Sequence, residues 1–218
     1  MSAPFHETLR ETNHAAWEAM QAHPFVRAVE VDRLPPGAFL RYLSYERDFV
    51  ATAIPIFAHA LIKAPGFAEQ RHLIAVLHAL ANGQLPYFDA TFAALRATPD
   101  PADSFPPAVT AFRERMHEIA RTGSYAEIIT SMLAAEWMYA TWCTRAAAHT
   151  IAEPNLARWV ALHAAPEFGA QVTWLKHQVD EAAARASTAE QDLLALRFGE
   201  TLRLEFAFHT APLKPPST

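Results

Sequence analysis

The chain of 218 residues contains a single cysteine, Cys143. It can therefore form no internal disulfide and no zinc cluster built from cysteines. This composition is typical of proteins from reducing compartments, so we expect a cytoplasmic location. The first 17 residues, MSAPFHETLRETNHAAW, also lack a basic segment followed by an apolar one, and no secretory signal peptide is expected.

Basic residues are few as well. Lys and Arg number 18 against 23 Asp and Glu, which gives a formal net charge of -5. Without a basic surplus we expect no nucleic-acid partner and favour a small-molecule substrate. The most apolar run, residues 128–144, is slightly short for a membrane span and contains Glu136, so it predicts a buried helix and no membrane partner.

Glycine occurs six times, and no stretch alternates polar and apolar residues with a period of two. Strands and glycine-rich phosphate loops are therefore not expected, whereas plentiful Ala, Leu, Glu and Arg favour helices. We predict an all-α fold with one helical domain over residues 1–210 and a disordered tail over 211–218. The prolines lie mostly between the predicted helical segments. Helices are predicted over residues 5–21, 35–61 with a kink or break at Pro55, 67–95 with a weak point at Asn82-Gly83, 108–121, 124–148, 154–186 with a break near Pro166, and 188–208.

Glu136 is the most unusual residue of the predicted buried helix. Between Glu127 and Arg145 it is the one charged side chain, and apolar residues lie on every side of the helix. A buried carboxylate is costly unless it is paired or has a function. The other helices must therefore supply partners for Glu136.

Helical phasing places two further carboxylates on apolar faces. Glu46 shares a face with Phe39 and Leu43, and Glu205 shares one with Leu202 and Phe208. Three inward carboxylates from separate helices predict a small pocket in which close like charges keep one acid protonated while another acts as base. The simpler alternative is that each carboxylate pairs with an Arg, Lys or His.

Metal and cysteine chemistry are weaker alternatives. The sequence has three Glu-x-x-His pairs, but their phasing places them on polar faces, so we expect no metal and no cofactor. Cys143 has no neighbouring base in the sequence and is expected to act as a small apolar residue. The three pairs are Glu11/His14, Glu69/His72 and Glu114/His117.

Four short motifs carry a family resemblance. They are HPFV at residues 23–26, FLRYLSYE at 39–46, SYAEIITSMLAAEWMY at 124–139 and LEFAFH at 204–209. In this order and spacing the chain resembles the TenA/thiaminase II family over residues 5–210. The resemblance implies a haem-oxygenase-like helical bundle, a homotetramer or homodimer, and a role in thiamin salvage. The implied reaction is hydrolysis of a C–N bond that releases 4-amino-5-hydroxymethyl-2-methylpyrimidine.

The chain departs from the commoner branch of that family at one position. Ala135 stands where a nucleophilic cysteine is usual, and Glu136 follows it. The chain therefore resembles the cysteine-lacking TenA_E-like branch, which is associated with aminomethyl- and formylaminomethyl-pyrimidines. This resemblance implies that Glu136 and Glu205 are the catalytic residues.

The resemblance also implies a set of substrate-binding residues. Tyr139 matches a site tyrosine, and Phe208 matches a stacking phenylalanine. Four residues differ from the family pattern, and the hydroxyl groups that three of them lack imply a drier pocket. The implied substrate-binding set is Glu46, in place of an aspartate, Phe49, Phe112 and His163, in place of tyrosines, and Tyr139 and Phe208.

Two other functions are compatible with the same sequence. The missing cysteine suggests a non-catalytic pyrimidine-binding or regulatory protein. The implied fold also hosts metal-dependent oxygenases, for which inward histidines would be the ligands.

Overall fold

The computed structural model describes residues 3–35 and 37–214. Within these ranges the chain is helical and contains no strand, which confirms the all-α prediction. Several helices begin at a proline, whose fixed φ and missing N–H suit the first helical position. The helices are α1 (Phe5–Thr12), α2 (His14–Gln21), α3 (Pro24–Glu30), α4 (Ala38–Lys63), α5 (Phe67–Ala79), α6 (Leu85–Ala94), α7 (Pro107–Thr122), α8 (Tyr125–Ala146), α9 (Pro154–His163), α10 (Pro166–Ala183) and α11 (Thr188–Thr210).

The N-terminal region differs from the prediction of one helix over residues 5–21. The helix breaks at Asn13, whose side-chain amide donates to the Leu9 carbonyl (3.0 Å) and to the Ala195 carbonyl on α11 (2.9 Å). The second bond joins residues far apart in sequence, so helical periodicity could not reveal it. Helix α3 was not predicted. It is capped by His23, whose Nδ1 accepts a hydrogen bond from the Phe25 N–H (3.0 Å).

The prediction was a kink or a break at Pro55, and helix α4 runs through this residue without a break. The apolar side chains around it, Ile56, Phe57 and Ala60, are buried, and their burial outweighs the hydrogen bond that the proline removes. The weak point at Asn82-Gly83 is confirmed, because a π-helical turn over Leu80–Gln84 separates α5 from α6.

The helices group into two compact units. Unit 1 spans Met1–Pro35 and Ile129–Thr210, and unit 2 spans Pro36–Ile128 and Ala211–Thr218. The core of unit 1 includes Trp17, Phe25, Trp142, Trp159 and Phe198, all of them buried. The core of unit 2 includes Tyr42, Ile56, Phe57, Phe88 and Met116.

The start of the predicted disordered tail is ordered. Ala211–Leu213 forms a 3-10 turn in which Ala211 and Pro212 are buried. The Arg41 guanidinium holds this turn, because its Nε and Nη2 donate to the Pro212 carbonyl at 3.0 and 2.7 Å. Residues 215–218 of the predicted tail lie outside the described residues.

Candidate functional site

The candidate site is organised around α8. The helix starts with a capping box, in which the Ser124 N–H donates to Glu127 Oε2 (2.8 Å) and the Glu127 N–H donates to Ser124 Oγ (3.3 Å). Beyond its first turn the helix is buried on most sides, and Leu133, Met138 and Trp142 are fully enclosed. This confirms the prediction that α8 is a buried helix.

Glu136 carries a protonated carboxyl group on α8. The residue as a whole is half-buried, but its Oε2 atom is enclosed and has no hydrogen-bond partner within the described chain. Burial raises the pKa of Glu136 to about 8, and the nearby Gln171 side chain opposes part of this shift. At neutral pH this group is therefore mostly a neutral carboxylic acid that can donate a proton.

Gln171 on α10 is a neighbour of Glu136 that the sequence did not suggest. It is half-buried and lies one turn before the fully buried Leu175, on the apolar stripe that continues to Val179. The spacing of four and eight residues would have placed Gln171 on the inner face of α10. That Gln171 lies near Glu136, however, follows only from the three-dimensional packing.

Glu205 and His209 form a second polar pair, one turn apart on α11. Both side chains are fully buried. His209 Nδ1 lies 2.8 Å from the backbone oxygen of Glu205 and 3.5 Å from its Oε2. Burial lowers the pKa of His209 to about 3, so the imidazole is neutral and donates its Nδ1–H to the backbone carbonyl. The 3.5 Å contact is therefore no ion pair, and His209 is not the cation that the simpler alternative requires for Glu205.

An aromatic cluster in unit 1 links α8, α9 and α11. We define it as Tyr139, Trp142, Trp159, His163 and His209. The Tyr139 ring centroid lies 5.3 Å from that of His209 and 5.4 Å from that of His163. His163 Nδ1 lies 2.9 Å from the Trp159 carbonyl, and burial lowers the pKa of His163 to about 4.

Phe208 adjoins this cluster, because its ring lies 5.7 Å from that of His209. Four predicted residues on α8, α9 and α11 are therefore joined by contacts. His209 contacts three of them directly, and His163 joins the group through Tyr139. The four residues are Tyr139, His163, Glu205 and Phe208.

His23 ties α3 to the end of α11. Its Nε2 lies 2.9 Å from Thr210 Oγ1, and that hydroxyl donates to the Phe206 carbonyl (2.9 Å). Because His23 Nδ1 accepts from the Phe25 N–H, its proton lies on Nε2 and the ring is neutral. Burial lowers the pKa of His23 to about 4. The HPFV and LEFAFH motifs therefore meet in one hydrogen-bond network.

The remaining predicted site residues lie in unit 2. Glu46 is 5% exposed, so its predicted inward orientation is confirmed. Phe49 and Phe112 are also buried and stack directly, with ring centroids 4.5 Å apart and an interplanar angle of 10°. At that separation no third ring fits between them, so a flat ligand could contact only the outside of this pair.

Other features of the described residues bear on the alternatives. Residues 3–35 and 37–214 contain no group of three or more His, Cys, Asp or Glu side chains placed to hold a metal ion. In the Glu-x-x-His pairs, Glu11, His14 and Glu114 are exposed. Cys143 is fully buried, as expected for an apolar role. In the part of the chain that the structure covers, no helix combines the length and apolarity that crossing a membrane requires.

Comparison with known proteins assigns the family. The sequence pattern of the TENA/THI-4/PQQC family matches residues 10–214. An aminopyrimidine aminohydrolase from Halalkalibacterium halodurans is 26% identical over 208 residues, which cover 94% of this chain and 93% of the relative. A TenA homologue from Pyrococcus furiosus has a TM-score of 0.87 at 17% identity, covering 95% of this chain and 99% of its own. A TenA family transcription regulator from Silicibacter sp. TM1040 has a TM-score of 0.85 at 21% identity, covering 99% and 100%. The chain belongs to the TENA/THI-4/PQQC family.

Proposed function

We propose that the protein hydrolyses thiamin-related aminopyrimidines, converting aminomethyl- or formylaminomethyl-pyrimidine to 4-amino-5-hydroxymethyl-2-methylpyrimidine. The observation that carries this proposal is the protonated carboxyl of Glu136, which follows Ala135 and presents an oxygen that has no hydrogen-bond partner among residues 3–35 and 37–214. The similarity to an aminopyrimidine aminohydrolase over most of both chains supports the same reaction.

In the proposed reaction Glu136 acts first as a general acid. Its carboxyl gives a proton to the leaving nitrogen while the bond between that nitrogen and the methylene carbon breaks. A water molecule attacks the methylene, and the Glu136 carboxylate takes the proton that the water loses. The products are the hydroxymethylpyrimidine and ammonia, or formamide from the formylated substrate, and Glu136 returns to its protonated form.

A carboxyl with a pKa of about 8 suits both halves of this cycle. General acid and base catalysis is most efficient when the pKa of the group lies near the working pH, because both protonation states are then accessible. An ordinary exposed glutamate, with a pKa near 4.3, would be almost fully ionised and a poor proton donor at neutral pH.

Glu205 is proposed to bind the pyrimidine ring nitrogens. Its complete burial and the neutral His209 beside it give a low-dielectric setting in which a hydrogen bond to a ring nitrogen is strong. Tyr139 and Phe208 are proposed to pack against the ring, and His163 to line the site. The substrate-binding roles of Glu46, Phe49 and Phe112 remain predictions from the family resemblance.

Turnover assays test this proposal. Purified protein is incubated with aminomethylpyrimidine, its N-formyl derivative and thiamin, and the hydroxymethyl product is measured. We expect Glu136→Gln and Glu205→Gln to lose activity, and Glu18→Gln, a substitution at an exposed carboxylate of unit 1, to keep it. Failure of the wild type to convert any of the three compounds would overturn the proposal.

A second candidate is a non-catalytic pyrimidine-binding protein. It is favoured by Ala135 in the position of the nucleophile and by the Phe49–Phe112 stack, which lacks the usual hydroxyl groups. One structural relative is described as a transcription regulator. Thermal stabilisation by the aminopyrimidines without any product would support this function, and turnover would reject it.

We also propose that the reaction serves thiamin salvage in the cytoplasm and that the protein is a homotetramer or homodimer. The family membership and the single buried cysteine support these assignments. Light scattering of the purified protein tests the oligomer, and a monomer would contradict it.

A further inference from the structure

The two ring nitrogens of His163 have different surroundings. Nδ1 lies 2.9 Å from the backbone oxygen of Trp159, one turn earlier on α9. In the described part of the chain no group forms a hydrogen bond with Nε2, and the residue is only half-buried. From this arrangement we infer that His163 determines substrate specificity, because its Nε2 accepts a hydrogen bond from an N–H or O–H group on the methylene carbon of the pyrimidine. The inference rests on the proposed function.

The Trp159 carbonyl fixes the tautomer of His163. A backbone carbonyl oxygen can only accept a hydrogen bond, so Nδ1 must carry the proton. Within residues 3–35 and 37–214 no Asp or Glu side chain forms an ion pair with His163, and burial lowers its pKa to about 4. The ring therefore has no second proton at neutral pH. Nε2 presents a lone pair and is an acceptor only.

Three aromatic rings hold the imidazole in this orientation. Its centroid lies 4.2 Å from that of Trp159, 5.4 Å from that of Tyr139 and 5.0 Å from that of Phe168 on α10. The imidazole cannot exchange its two nitrogens by turning over unless neighbours from three helices move. Nε2 is therefore a preorganised acceptor.

The location of His163 suits the substituent of the pyrimidine better than its ring nitrogens. Tyr139, which His163 contacts, lies three residues after Glu136 and on the same side of α8. Glu205, which is proposed to bind the ring nitrogens, lies next to His209, on the other neighbour of Tyr139. Separate neighbours suit separate parts of the substrate, the substituent for His163 and the ring for Glu205.

This assignment defines a class of substrates. The leaving nitrogen of an aminomethyl or a formylaminomethyl group carries at least one N–H, which can donate to Nε2. A leaving nitrogen without hydrogen cannot donate, and it would leave the acceptor of His163 unpaired when the site closes around the substrate. The protein should therefore favour substrates whose leaving nitrogen carries an N–H.

Equilibrium binding tests the inference without any turnover. The two ligands are 4-amino-2-methylpyrimidines with a 5-hydroxymethyl or a 5-ethyl group, which are similar in size and differ in the O–H donor. Isothermal titration calorimetry at neutral pH gives the Kd of each. We expect the wild type to prefer the hydroxymethyl compound, and this preference to fall about fivefold to tenfold in His163→Phe, because the acceptor is lost.

The matched control is His177→Phe, a substitution at an exposed histidine of α10, which should keep the wild-type preference. His163→Leu also lacks the acceptor and serves as a second variant if His163→Phe does not fold. The same ratio of the two Kd values in the wild type and in a folded His163 variant would overturn the inference.

The tautomer has a readout of its own. A long-range ¹H–¹⁵N NMR spectrum of the histidine rings, assigned with His163→Phe, should show a protonated Nδ1 and an unprotonated Nε2 in His163. A protonated Nε2 at neutral pH would overturn the inference. If the wild type shows the binding preference but converts no substrate, the proposed function fails and the role of His163 stands. Turnover without the preference has the reverse meaning, and binding of neither ligand would overturn both.

Discussion

His209 lies 3.5 Å from the side-chain carboxyl group of Glu205 and is neutral, because burial lowers the pKa of His209 to about 3. The two side chains are adjacent on α11 and both are fully enclosed. The one N–H group of the imidazole donates a hydrogen bond to the backbone carbonyl of Glu205. Unit 1 thus contains a carboxyl on α8 that is protonated and a histidine on α11 that is not.

The buried neutral histidines predict a loss of stability in mild acid. His23 and His163 have pKa values of about 4 and His209 of about 3, whereas unfolded histidine titrates near 6.5. The unfolded chain therefore binds more protons between pH 6.5 and pH 4, and the stabilising effect of burial is lost as the pH falls through this window. For His23 alone the loss amounts to about 3 kcal/mol.

Urea unfolding between pH 7 and pH 4 measures this effect. His209→Phe keeps an aromatic ring at the position and should make the decline less steep. The exposed His149 supplies the control, and His149→Gln should leave the slope unchanged. In the Glu136→Gln background, which removes the opposing titration of Glu136, a free energy of unfolding that is constant between pH 6.5 and pH 4 would show that these histidines titrate normally.

The raised pKa of Glu136 predicts that stability falls as the pH rises from about 4.5 to about 8, the opposite of the trend given by the histidines. The folded protein holds the Glu136 proton up to about pH 8, while the unfolded chain releases it near pH 4.5. Stability that is present below pH 4.5 is therefore lost as the pH rises toward 8. Glu136→Gln removes this titration and should be more stable than the wild type at pH 8, by at most about 5 kcal/mol.

The gain from Glu136→Gln should shrink when the pH is lowered to 5. Differential scanning calorimetry of the two proteins at pH 5 and pH 8 makes the comparison. If the wild type and Glu136→Gln had equal melting temperatures at both pH values, Glu136 would not be buried in its neutral form.

The link between α3 and α11 predicts a coupled pair. His23→Ala removes the cap of α3 and the hydrogen bond to Thr210, and should cost about 2–4 kcal/mol. Thr210→Val removes only the hydroxyl and should cost about 1 kcal/mol. A double-mutant cycle should give a coupling energy of about 1 kcal/mol between the two sites. Strictly additive effects in urea unfolding would indicate that the Nε2–Oγ1 hydrogen bond contributes nothing.

Arg41 is predicted to hold the ordered start of the C-terminal segment. Arg41→Met removes both hydrogen bonds to the Pro212 carbonyl and should cost about 1–2 kcal/mol, with faster proteolysis after residue 210. Arg47→Met is the matched control, because the ion pair of Arg47 with Asp89 is exposed and should contribute below about 1 kcal/mol. Similar proteolysis rates for both variants would contradict the role of Arg41.

The sequence predicted those parts of the molecule that depend on local chemistry. A lone charge in an apolar helix singled out Glu136, prolines marked the starts of α9 and α10, and phasing found the buried Glu46 and Glu205. The position of Gln171 near Glu136 and the break of the first helix at Asn13 could not be predicted, because each depends on the packing of one helix against another. The neutrality of His209 depends on burial in three dimensions, and no spacing in the sequence encodes it.

The central claim is that the protonated carboxyl of Glu136 supplies the proton to the leaving nitrogen. The most direct measurement is the pH dependence of kcat/KM for aminomethylpyrimidine hydrolysis by the wild type and Glu136→Gln. We predict that wild-type activity falls as the pH rises above about 8, where Glu136 loses its proton, and that Glu136→Gln is slower by about 10²–10⁴-fold. Turnover by Glu136→Gln equal to that of the wild type, with the same alkaline limb, would contradict the claim.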